Sequence, residues 1–176
     1  MIARLRPAAP PVLFELGDEL VVTSPGPGSA TGQPFNEMQL RDVILDAELG
    51  LVDGEDEDRY GLFFRQTGEE RYVACTINGA GQLALGIVDG GPPLVVADAR
   101  LNGEVQFQMG VGVTNRLTIV ACGPVAAVMV NGVAVTGALL DSRYVTGRAG
   151  ALLVHTSSKP QARLAVRWAQ ARAIVA

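Results

Sequence analysis

NRLTIVACGPVAAVMVNGVAV, residues 115–135, reads as two strands and the start of a third. The apolar, β-branched runs are joined first by Cys122-Gly123-Pro124 and then by Asn131-Gly132. Asn-Gly between such runs is the strongest short hairpin signal, because both central residues of a type I′ turn need positive φ. The stretch therefore predicts neighbouring antiparallel strands.

Upstream, DVILDAELGLV alternates cleanly: Val43, Leu45, Ala47, Leu49 and Leu51 share one face, while Asp42, Asp46 and Glu48 share the other. This is a long, half-buried strand. The acidic DGEDED run (53–58) leads into RYGLFFRQ, and Thr67-Gly68-Glu69-Glu70 turns the chain into RYVACTI. A Gly-rich turn at 78–81 opens QLALGIVDGG, then PLVVADA, a looser stretch at 99–114, and the opening hairpins. VAVTGALL, GRAGALLVHT and ARLAVRWAQARAIV follow. About twelve short strands with few helix caps predict an all-β fold, an antiparallel two-sheet sandwich. The last segment is rich in Ala, a helix former, but the alternation of Leu164, Val166 and Trp168 favours a strand. Before residue 36 there are two short apolar runs, Val12–Leu16 and Leu20–Thr23, and a Gly/Pro-rich segment, SPGPGSATGQP (24–34), read as a loop. Residues 1–176 are read as one domain.

Composition narrows the function classes. The chain is 48% hydrophobic and has a mean hydropathy of +0.26, which excludes a disordered chain. A net charge of -4 with 14 scattered basic residues argues against a nucleic-acid partner. Charged residues make up only 18%, so part of the surface is expected to be covered by a partner. The start, MIARLRPAAPPVLFEL, is broken by prolines and lacks a signal-peptide core, and no run is long enough for a membrane helix. A soluble chain is expected, cytoplasmic by default. Cys75 and Cys122 lie in apolar runs, where a thiol behaves as a small hydrophobe.

The runs VDGEDEDRYGLFFRQ, RYVACTINGAGQLALGIVDGG, NRLTIVACGPVAAVMVNGVAV and TGRAGALL, spanning Leu40 to Leu153, resemble in order and spacing the concanavalin A-like jelly-roll superfamily. Within it they are similar to LamG-like domains and the related keto-disaccharide hydrolase-like domain. The resemblance implies two curved antiparallel sheets and a role in binding carbohydrate or another surface ligand, often beside other domains and often outside the cell. This chain departs from the pattern at VAAVMV, where Val125, Ala127 and Met129 alternate with Ala126, Val128 and Val130, so that both faces are apolar. Such a strand is buried on both sides or exposed for a partner.

Candidate chemistry is sparse. The superfamily's glucanases carry an ExDxxE-type strand that supplies a nucleophile and an acid, and that pattern is absent. Asp46 and Glu48 share a face about 7 Å apart along their strand, without a third carboxylate, and read as a solvated outer face. Asp53, Asp56 and Asp58, with Glu55 and Glu57, offer oxygen ligands for calcium at a loop rim, the one cofactor candidate; the alternative is a charged hairpin tip. His155 is the one histidine, so sites needing two imidazoles are excluded, and it reads as a surface or strand-end residue. Arg65, closing GLFF, is either ion-paired or directed into a groove. Tyr72 and Tyr144 are candidate stacking residues, Tyr144 as a loop platform or a packed loop anchor. Trp168 reads as core.

Two readings compete: a non-catalytic binding module of the LamG-like type recognising a carbohydrate or protein surface through Arg65, Tyr72 and Tyr144, and a self-assembling β-sandwich subunit using Val125, Ala127 and Met129. A glycoside-active hydrolase is weaker, for want of a catalytic constellation. The partners expected are a glycan, a protein or a second copy of the chain.

Overall fold

The computed structural model describes residues 9–174, so residues 1–8, part of the start read as lacking a signal-peptide core, lie outside it. Among the described residues run thirteen strands: β1 (Val12–Glu15), β2 (Leu20–Thr23), β3 (Ala30–Pro34), β4 (Val43–Asp53), β5 (Arg59–Gly68), β6 (Arg71–Asn78), β7 (Gln82–Asp89), β8 (Leu94–Arg100), β9 (Asn115–Cys122), β10 (Val125–Val130), β11 (Val133–Leu139), β12 (Arg148–Val154) and β13 (Arg163–Ala173). They form two antiparallel sheets, as expected. A seven-stranded sheet runs β1-β13-β4-β9-β10-β11, with β2 also against β13, and a six-stranded sheet runs β3-β12-β5-β6-β7-β8. No helix among the described residues is long and apolar enough to cross a membrane.

The alternation that predicted β4 holds: Val43, Leu45, Ala47, Leu49 and Leu51 are at most 2% exposed. They meet Tyr60, Leu62 and Phe64 of β5 and Val73, Cys75 and Ile77 of β6 between the sheets. Each buried Val, Leu, Ile or Phe among them contributes roughly 1.5–3 kcal/mol. The Asn-Gly turn forms as read, with Asn131 at φ +50 and Gly132 at φ +84. Asn131 Oδ1 accepts from the Arg116 amide, and its Nδ2 donates to Asn115 Oδ1 and Gln106 O, which ties the hairpin to β9 and the loop before it.

In β10, Ala126, Val128 and Val130 face the core, while Val125, Ala127 and Met129 lie on the outer face of the seven-stranded sheet, Val125 being 46% exposed. This strand is therefore apolar on both sides without being buried on both.

The structure revises several local readings. The Gly/Pro-rich loop is confined to residues 24–29, because Ala30–Pro34 pairs with β12 as an edge strand, where proline at the strand end leaves no ladder bond unmade. The acidic run is not a hairpin tip: β4 and β5 lie in different sheets, so it is a crossover. Asp46 is 1% exposed, taking the Arg116 guanidinium and the Thr118 hydroxyl. Trp168 is turned out of the core because a bulge between Val166 and Trp168 shifts the register, and a shift of one flips the face. Its Nε1 donates to Glu15 Oε1, and Arg116 lies 5.8 Å from its ring centroid. His155 is fully buried under the 24–29 crossover, with Nδ1 2.8 Å from Ser24 Oγ.

Candidate ligand-binding groove

The outer face of the six-stranded sheet is hollow because its floor is built from small residues. One row crosses the sheet through Pro34, Gly150, Phe63, Ala74, Gly86 and Val95, and the next through Gly32, Leu152, Gly61, Thr76 and Ala84. Glycine is required at Gly150, where a Cβ would meet the Gln33 carbonyl and come within 2.5 Å of the Phe63 ring. With so little side-chain volume on the floor, the long residues at the margins become walls. The result is a groove of about 780 Å³, continued on the β3–β12 side by a compartment of about 440 Å³.

Tyr72 stands between the two and lines both. Its ring packs on Phe63 with centroids 5.8 Å apart at 56°, which fixes the phenol as a platform. Burial raises its pKa, so the ring is neutral and its hydroxyl protonated. At one end Arg59 donates from Nε to Thr76 Oγ1 and from Nη2 to the Gln82 carbonyl. Burial lowers its pKa, and a guanidinium in a protein stays charged. Glu69 and Glu70, on the β5–β6 turn, supply the carboxylates of the rim. The smaller compartment adds Gln66 and Arg148, which face each other across β5 and β12. The whole offers an aromatic platform, an apolar floor and a few directed polar groups, the composition of a small-molecule site.

Of the expected ligand residues, only Tyr72 is in this groove. Arg65 is 1% exposed at a bulge of β5, with φ +54, and its guanidinium donates inward to the carbonyls of Tyr144 and Arg41. Burial lowers its pKa, with Asp42 acting the other way. Among the described residues it has no ion-pair partner, and instead of entering the groove it clamps the 141–147 loop. Tyr144, 1% exposed, is the anchor of that loop and cannot serve as a platform.

The structure places the three aspartates read as calcium ligands in different surroundings. Asp58 is fully buried and accepts from the amides of Glu55, Thr156 and Ser157 and from Ser157 Oγ. Burial alone would raise its pKa, but these bonds outweigh burial and lower it. Asp53 faces Lys159 and Arg163, and Asp56 sits against Gly79. Among the described residues no three His, Cys, Asp or Glu side chains are grouped to hold a metal. Both cysteines are unpaired, and burial pushes the Cys75 thiol up to about 12, leaving it an inert core residue.

No protein-family model matches the chain, and no curated protein matches it in sequence. Solved structures do match. The carbohydrate-binding module CBM66 from Bacillus subtilis superposes with a TM-score of 0.65 at 13% identity, covering 87% of this chain and 95% of that one. The carbohydrate recognition domain of Emp47p gives 0.58 at 12% identity, covering 91% and 90%. Alginate lyase AlgAT5 from polysaccharide lyase family 7 gives 0.59 at 12% identity, covering 90% and 80%. At such identities the likeness is one of fold, a two-sheet antiparallel β-sandwich.

Proposed function

We propose that the chain is a non-catalytic carbohydrate-binding module of the LamG-like kind, holding its ligand in the groove on the six-stranded sheet. The observation that carries this is the groove itself, about 780 Å³ over a floor of small residues with Tyr72 as a supported platform. A sugar ring stacks on such a platform through its C–H face, while its hydroxyls need the directed donors and acceptors that Arg59, Thr76 and Gln66 offer. Two of the matching folds are named as a carbohydrate-binding module and a carbohydrate recognition domain, which supports the reading. Among the described residues lining the groove, the carboxylates are Glu69 and Glu70 on adjacent positions of one turn, without the facing pair that glycoside hydrolysis uses. Screening the chain on a glycan array and titrating the best binder tests the proposal. Tyr72→Ala is expected to weaken binding about tenfold or more with the melting temperature little changed; equal affinity in the variant overturns it.

Exposed Val125 and its register partner Leu139, 46% and 77% exposed, favour a second reading, self-association through the outer face of the seven-stranded sheet next to Ala127 and Met129. It predicts an oligomer in sedimentation and monomers for Met129→Lys. A wild-type chain that is monomeric at high micromolar concentration ends this reading and leaves the groove untouched.

A further inference from the structure

Resting on the reading of the groove as a saccharide site, we propose that the compartment on the β3–β12 side of Tyr72 selects an acidic sugar, a uronate whose carboxylate takes the place of Glu37 on Arg148. The side chain of Arg148 is 26% exposed and lines this compartment. Its Nη1 donates to both Glu37 oxygens, at 3.2 and 2.9 Å, while the Glu37 side chain is 84% exposed and lies outside any strand. A carboxylate that exposed gives up its partner at little cost. The position it holds is one that a ligand carboxylate takes with the same charge-assisted geometry.

Beside it, Gln66 is 8% exposed, and its Oε1 is buried with no hydrogen-bond partner among the described residues. Gln66 lines the same compartment, and a sugar hydroxyl next to the carboxylate is a group its side-chain amide can pair with. Because Gln66 and Arg148 are register partners that line one compartment, the amide and the cation stand side by side on one face. The Tyr72 platform borders the same compartment, so that ring can stack while its polar edge is read. Glu69 stands at the rim, exposed, where water screens its charge, while Arg148 is the more sheltered of the two.

Calorimetry on the full chain tests this with oligomers of galacturonate, glucuronate and mannuronate, each beside its fully methyl-esterified form and a neutral oligosaccharide of equal length. At least one acid is expected to bind about tenfold tighter than its ester. The difference should vanish in Arg148→Gln and widen in Glu37→Gln, both variants melting as the parent does. Equal binding of acid and ester, or binding of neutral sugars alone, overturns the inference and leaves the saccharide site standing. No binding by any neutral or acidic oligomer overturns both.

Discussion

Asp58 has no exposed surface and takes four hydrogen bonds, which join the β4–β5 crossover to the segment after β12. Asp58→Asn keeps the shape but replaces an acceptor with a donor facing amides, and should cost about 3 kcal/mol in urea denaturation. Its folded-state pKa lies below the unfolded value, so its contribution is complete above about pH 4 and is lost as the pH falls through the folded value. A stability profile flat in that acid range would contradict this. Arg65→Ala removes the bonds to Tyr144 and Arg41, and is expected to cost about 3 kcal/mol and to speed amide exchange across 141–147 before the sheets open. Neither role could be read from single residues. Asp58 looks like one of five solvated carboxylates until the crossover folds it inward, and Arg65 looks like a strand-end charge until the bulge turns its side chain. Tyr72 lies on the outward side of β6 with Ala74 and Thr76, opposite the buried Val73, Cys75 and Ile77.

The β10–β11 hairpin and β4 were legible at the level of the element because their evidence is local: two residues needing positive φ, and an unbroken period of two. Asn131→Ala should destabilise the chain by about 2 kcal/mol, through an alanine at φ +50 and three lost side-chain bonds, measured as a lower urea midpoint at unchanged slope. A loss below about 0.5 kcal/mol would show that the turn relaxes freely. Elements set by long-range pairing were not legible. β3 has a turn-former's composition and exists because β12 offers it an edge; the bulge that turns Trp168 outward leaves no mark on the alternation around it.

At the scale of the molecule, the apolar outer side of β10 lies on the sheet opposite the groove, so the two surfaces do not compete. The groove had a signal in the sequence: small residues recur on the outward positions of β5, β6, β7 and β12 at Gly61, Ala74, Ala84, Gly86 and Gly150. What that pattern omits is register, which alone brings these positions into rows and sets Arg148 beside Gln66. The central claim is that the hollow face of the six-stranded sheet holds the ligand. Titrating the isotope-labelled chain with the best-binding oligosaccharide and following its amide resonances tests it most directly. The account predicts shifts concentrated on β3, β12, β5, β6 and β7 around Tyr72; shifts centred on β10 or on Trp168, with Tyr72 unmoved, would contradict it.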